Sequence, residues 1–463
     1  MQESVIDMTR YSVWATVMVV LIMTIVLGGC PKAPTESDAA PGPAATPVKL
    51  NLWTIWNAEP RISALQAIVD QFQQQNPGIQ IQVTALEPDA YKTRIGVALG
   101  SSAPPDIYFV WSGEKMLRGF IRGGNTADLT EYMQADDAQW QSRIVPASLE
   151  PYVHEGRIWG IPFLLQCTFF FYNTEMFDKH GWEIPETWDE LIALCRKIKA
   201  AGITPIALGN VQKWPAHHFP FVLSQRLLGK QACEAQFDPL GPGDYSAPEF
   251  VRALEMFADF YAQGFFNDSP NGTTRENARA LFYSGKTAMF YTGTWDLSRL
   301  VEGGEAPEEF WDKWDFFDFP ALPGGKGNQH ALAGSPDGYV ISSATPHLEQ
   351  AVAFLKFMTT VEQARGFVDA CQELVQVMGA VSEDNAGPRL AKYARIVEQA
   401  EEIAPWMDTM MEASVADEYM NGVQALLDGR MTPKQIMEAV RQRQARVKEQ
   451  MLAAEQGEPG AGE

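Results

Sequence analysis

Two apolar periods alternate along this chain, one of about two residues and one of between three and four, as expected when strands and helices follow one another. Lys49 to Trp56 reads as a strand and gives way to a helix from about Ile62, where Ile62, Leu65, Ile68, Val69 and Phe72 recur at helical spacing. Asn76-Pro77-Gly78 stops that helix. Ile79 to Leu86 alternates as a strand, Tyr91 to Leu99 reads as a helix, and Asp106 to Trp111 is nearly all apolar, like a strand covered on both faces. Further on, Phe169 to Tyr172 is a short apolar strand. Thr187-Trp188-Asp189-Glu190 is a capping box, and the helix it opens closes at Gly202 before a strand from Ile203 to Leu208. Thr432-Pro433-Lys434-Gln435 opens a last helix that runs to about Leu452, with a frayed tail over 453–463. Two βα series separated by a turn at Gly160-Ile161-Pro162 predict two α/β lobes, each a mainly parallel sheet flanked by helices. A ligand is expected in the cleft between them.

The first 47 residues break this pattern. Val13 to Leu27 is apolar apart from two Thr, too short to span a membrane comfortably and suited to a signal-peptide core. Glu3 and Asp7 lie where positive charge is expected, so Met8 makes a better start; an uncleaved anchor is the competing reading. Leu27-Gly28-Gly29-Cys30 resembles a bacterial lipobox, which implies a cleaved leader over 1–29 and a diacylglycerol on Cys30. From there to Pro47 the chain is rich in Pro, Ala, Thr, Ser and Gly and reads as a tether over 30–47.

At 463 residues the chain has room for two domains, and a 46% hydrophobic content excludes wholesale disorder. Lys plus Arg number 36 against 58 Asp plus Glu, a net charge of -22 that repels phosphate backbones, so no nucleic acid partner is expected. Cys167, Cys195, Cys233 and Cys371 show no CxxC spacing and only six His accompany them; buried thiols are expected before disulfides, and no metal or cofactor is signalled.

Five segments together resemble the sugar-binding subunits of bacterial ABC importers, the solute-binding family that includes maltose-binding protein. They are Leu50-Asn51-Leu52-Trp53 with Asn76-Pro77-Gly78-Ile79; Pro105-Asp106-Ile107-Tyr108-Phe109; Gly160-Ile161-Pro162 with Phe171-Tyr172-Asn173; Pro185 with Thr187-Trp188-Asp189-Glu190-Leu191; and Phe282 to Met289 leading to Gly293-Thr294-Trp295. The resemblance runs from about residue 48 to 450 and implies a two-lobed clamp with discontinuous lobes, 48–165 plus 332–390 and 168–331 plus 391–452. Its chain would cross near Leu165 to Thr168, Leu332 to Gly338 and Arg389 to Arg395. It also implies a monomeric extracytoplasmic receptor, anchored to the membrane through Cys30, that delivers carbohydrate to a permease.

Sugars present a C–H face and a hydroxyl rim, which calls for aromatic platforms and planar polar groups. Trp214, Trp295 and Trp406 match family platforms; Trp214 could instead be a surface plug and Trp406 core. Trp111, Ser112 and Glu114 follow one strand, and Trp56, Asn57 and Glu59 follow another, where the family places contacts at strand ends. Glu114 could equally be a solvated acid at a helix start. Asp296 adjoins Trp295, and Asp337 either points into the cleft or sets a turn. Gln166 stands where maltose-type relatives carry an acid, which puts maltose in doubt.

Gly285-Lys286-Thr287 imitates the end of a P-loop, but position 280 is Ala where that motif needs Gly, and a turn into a strand is expected instead. A receptor for a non-sugar solute and an exported glycosidase with a carboxylate pair are the competing functions. Few basic residues stand near the expected cleft, which argues against an anionic solute.

Overall fold

The computed structural model describes residues 47–455; the expected leader, Cys30, the tether up to Thr46 and residues 456–463 lie outside the described residues. Among the described residues no helix is long and apolar enough to cross a membrane.

β1 (Val48–Thr54) and β2 (Ile79–Ala85) pair in parallel along their whole lengths. The helix that joins them, Arg61–Gln75, buries Ala64, Leu65, Ile68, Val69 and Phe72, the stripe its spacing predicts. It also buries Arg61, whereas Ile62 is only partly covered. The cause is electrostatic: the Arg61 guanidinium donates from Nε and Nη2 to both carboxylate oxygens of buried Glu373, at 2.7 and 2.6 Å. β3 (Ile107–Trp111) lies in parallel on the other side of β1. A small hairpin of β4 (Val153–His154) and β5 (Arg157–Ile158) stands apart from the main sheet.

β6 (Ile161–Asn173) replaces the turn expected at Gly160-Ile161-Pro162 and absorbs the short strand expected at Phe169 to Tyr172. Pro162 is tolerated inside it because it lies opposite Gly338, where the register slips and the ladder needs no donor. The remaining strands are β7 (Thr204–Ala207), β8 (Thr287–Gly293), β9 (Trp314–Phe317), β10 (Leu332–Ile341) and β11 (Ile403–Ala404). The sheet order is β2-β1-β3-β10-β6-β8-β7, with β9 on β6 and β11 on β10. β7 and β8 are parallel, like β1 with β2 and β3. The long strands β6 and β10 run antiparallel to each other and to most of their other neighbours, so the sheet is mixed.

β6 exchanges partners midway. Ile161 to Cys167 pairs with β10, and Thr168 to Tyr172 pairs with β8. Strand alternation then sends Phe169 and Phe171 into one apolar cluster and Phe170 into the other. Helix Arg275–Tyr283, a left-handed Gly285 and β8 form the turn into a strand expected there. Cys167, Cys195, Cys233 and Cys371 are buried and unpaired, and burial pushes the Cys167 thiol up to about 12.

Trp56, expected at the site, belongs to the core. Its ring centroid lies 5.6, 5.4 and 5.0 Å from those of Phe163, Tyr339 and Phe367, and it is 1% exposed. Trp56→Ala should lower the unfolding free energy by about 3–5 kcal/mol, the usual cost of truncating a buried aromatic. Urea denaturation measures this, and an unchanged midpoint would contradict a core role.

Candidate ligand-binding site

A cavity of about 100 Å³ lies at the end of β3 and over the middles of β6 and β10. β3 delivers Trp111 to it, β6 Gln166 and β10 Asp337. Beyond β8 a single tight turn, Thr294–Arg299, adds Trp295 and Arg299, while Trp214 opens helix Trp214–Leu228 and Trp406 precedes Met407–Met410.

Trp295 is the centre of an aromatic wall. Its ring lies 5.5 Å from Trp214 and 5.6 Å from Trp406, both steeply tilted, and His218 is within 6.2 Å of all three. The preceding glycine makes this possible, because a Cβ on Gly293 would collide with the Trp295 ring. The indole Nε1 then donates to Thr292 Oγ1 at 3.1 Å. Trp214 is held by a left-handed Lys213 and by Asn210 Oδ1, which accepts from the Ala216 amide. Arg275 lies over the Trp214 ring at 5.6 Å, and Lys92 Nζ over the Trp111 ring at 5.0 Å.

The opposite part of the cavity is polar. Gln166 Oε1 accepts from Thr294 Oγ1 at 2.8 Å, and its Nε2 donates to Glu373 at 3.3 Å. Asp337 Oδ1 is buried without a hydrogen-bond partner among the described residues. Burial pushes the Asp337 carboxyl up to about 8, with Arg61 opposing and Glu373 assisting, which favours its neutral form. Asp408 behaves oppositely: burial would raise it, but His217, with Nε2 3.1 Å from Oδ1, draws it well below the carboxylate range. His218 is neutral because burial and the neighbouring His217 push it well below its usual value.

Of the residues singled out from the sequence, Asn57, Trp111, Gln166, Trp214, Trp295, Asp337 and Trp406 line this cavity. The other five do not. Trp56 is core, and exposed Glu59 accepts from Ser63 Oγ at 2.7 Å in the first turn of the helix that follows it. Ser112 is buried against Ser335 Oγ at 2.6 Å and donates to the Pro336 carbonyl at 2.8 Å, tying β3 to β10. Glu114 turns to Arg122 and Arg118 of the helical segment it begins. Asp296 accepts from Thr292 Oγ1 at 2.6 Å and lies 3.1 Å from Arg279 Nε, bracing the Trp295 turn from behind.

The expectation of few basic residues is also corrected, since Arg61, Lys92, Lys115, Arg275 and Arg299 all line the cavity. Four of them sit on helical segments, and Arg299 ends the 3-10 segment after β8. Only the tertiary fold gathers them. His218 and Asp408 were likewise missed; the adjacent His217-His218 pair was the one available signal.

The sequence profile of the family described as bacterial extracellular solute-binding protein matches residues 57–365. A multiple sugar-binding protein of Streptococcus mutans is 25% identical over 336 residues, 70% of this chain and 74% of that protein. An uncharacterized ABC transporter extracellular-binding protein of Pyrococcus horikoshii is 25% identical over 403 residues, 84% of this chain and 87% of that one. A structure solved in work on xylan utilization by the thermophilic bacterium Caldanaerobius polysaccharolyticus superposes with a TM-score of 0.79. It is 26% identical and covers 86% of this chain and 100% of its own.

The Asp337 carboxyl gives a test of the site's electrostatics. Between its ordinary value of 3.8 and about 8, an unfolded chain has lost this proton while the folded chain keeps it, so the folded state holds more protons. The Asp337 contribution to stability therefore falls as pH rises through that window. Asp337→Asn removes the dependence, and its melting temperature relative to the parent should climb between pH 5 and pH 8. A difference that stays flat across that range would show that Asp337 ionises normally.

Proposed function

Because the chain belongs to the bacterial extracellular solute-binding protein family, we propose that it is an extracytoplasmic receptor that binds mono- or oligosaccharides and delivers them to an ABC permease. The observation that carries the reading is that the wall of Trp214, Trp295 and Trp406 shares one cavity with the amide and carboxyl groups of Asn57, Gln166 and Asp337. An aromatic face receives the C–H surface of a pyranose, while planar polar groups meet its hydroxyls. The sugar-binding relative in Streptococcus mutans supports it.

In this reading the lobes are 48–165 plus 332–390 and 168–331 plus 391–452, and they close about the middles of β6 and β10, with a third crossing at Arg389 to Arg395. The receptor acts as a monomer, without a cofactor. A diacylglycerol on Cys30 and the 30–47 tether hold it at the membrane, where the permease lies.

Thermal-shift screening against a sugar panel identifies ligands, since a ligand at a thousandfold its dissociation constant stabilises by roughly 4 kcal/mol. The sugar should be recovered unchanged, and hydrolysis at catalytic turnover would contradict a receptor. With a confirmed ligand, Trp295→Ala should cost about 2 kcal/mol, near thirtyfold in affinity by calorimetry. Undiminished binding would remove Trp295 from the site. Mass spectrometry of membrane-extracted protein should find an acylated Cys30 at the mature N-terminus; an intact, unmodified peptide spanning Gly29 to Lys32 would exclude the anchor.

A further inference from the structure

The cavity reverses the charge balance of the chain. Five cations line it, Arg61, Lys92, Lys115, Arg275 and Arg299, against two acids, Asp337 and Asp408, although Arg61 is already matched by buried Glu373. The whole chain has 36 Lys plus Arg to 58 Asp plus Glu. Moreover, burial pushes the Asp337 carboxyl up, towards its neutral form.

The acids that pair with these cations mostly stand away from the cavity. Asp417, Glu276 and Glu305, which meet Lys115, Arg275 and Arg299, have side chains 62%, 46% and 39% exposed. Arg275 gives Nε and Nη2 to Glu276, which leaves Nη1; Arg299 gives Nη1 to Glu305, which leaves Nε and Nη2. Burial, together with Arg61 and Arg279 nearby, depresses Arg299 below its usual value, as expected where cations crowd without full compensation.

Placement relative to the aromatic wall narrows the role. Arg299 ends the same tight turn that carries Trp295, and Arg275 lies over Trp214, whose ring adjoins Trp295. Both guanidinium groups therefore line the same cavity as the platform on which a sugar ring would lie. Neutral hydroxyls are served by the amides of Asn57 and Gln166 and do not require guanidinium groups. Arg299 keeps Nε and Nη2, the pair that meets a carboxylate or sulfate with two parallel N–H donors, and Arg275 keeps Nη1 for a single charge-assisted contact.

We propose that the ligand is a sugar bearing an anionic substituent, a carboxylate or a sulfate, received by Arg275 and Arg299 beside Trp295. The proposal rests on the sugar-receptor reading above and names its substrate class.

Calorimetry with matched oligosaccharides tests it: galactose oligomers against their galacturonate and sulfated counterparts, and xylose oligomers with and without glucuronate. An anionic member should bind at least about tenfold tighter than its neutral partner, the worth of a charge-assisted hydrogen bond. The gap should shrink when salt rises from about 20 mM to about 500 mM, as screening requires. Whether the uronate or the sulfate gains more distinguishes the two anions. Arg275→Gln and Arg299→Gln should each narrow the gap; Arg275 is the safer variant, because its partner Glu276 is already exposed. Neutral sugars bound as tightly as anionic ones would overturn this inference and leave the sugar receptor standing. No binding of any sugar, neutral or anionic, would overturn both.

Discussion

β6 and β10 lie side by side, antiparallel, through the middle of the molecule, and the cavity depends on how closely they approach. Two glycines permit it: a Cβ on Gly338 would collide with the Ile161 carbonyl, and one on Gly334 with Cys167 and the Gln166 carbonyl. Every residue of β10 is buried, yet the strand carries Ser335 and Asp337. Unpaired polar groups in such a place cost several kcal/mol each, so their partners are informative. Ser335 has Ser112, and Gln166 opposite it on β6 has Thr294 and Glu373. Asp337 keeps an oxygen without one. A buried carboxyl with an unpartnered oxygen beside satisfied neighbours, in the lining of a cavity, is a hydrogen-bonding group held ready for something that enters.

Behind these strands, buried ion pairs fix the walls. Arg61 with Glu373 ties the first helix to the segment below Gln166, and Arg279 with Asp296 braces the turn of Trp295. Pairs of this kind rarely add stability, because desolvation offsets most of their attraction. What they add here is position: Glu373 orients Arg61 and Gln166 together, and Asp296 backs the turn from which Trp295 projects. The acids nearest the site thus act on other side chains, which is why Asp296 does not reach the cavity itself.

The sequence shows some of this well. The βα series, the capping box at Thr187 and the turn at Gly285 depend on local spacing and backbone chemistry, and the structure has them. Gly160-Ile161-Pro162 misleads because Pro normally breaks a strand, and only the slipped register opposite Gly338 accommodates it. Trp56 and Trp295 are indistinguishable by residue type; one meets Phe163, Tyr339 and Phe367, the other a glycine-cleared opening, and both environments come from distant segments. Glu114 is diverted by arginines on its own turns, a competition that a strand-end argument ignores. The basic lining is the least legible feature, since its members lie as far apart as Arg61 and Arg299 and no periodicity connects them.

That lining also bears on how the cavity could respond to a ligand. Lys115, beyond β3, reaches Asp417 at 2.9 Å on helix Ala413–Leu427. A ligand shifts a conformational equilibrium only through contacts it makes in one state and not the other. Stacking on Trp295 and Trp214 alone engages one wall and discriminates little between states. Asn57 and Lys92 approach from the β1 and β2 side, Arg275 and Arg299 from the β8 side, and Gln166 and Asp337 lie between on the two shared strands. A solute that touches both outer groups gains contacts only when they are brought together. If the receptor closes as proposed above, the polar and charged rim, more than the aromatic wall, is the part of this cavity that would couple occupancy to closure.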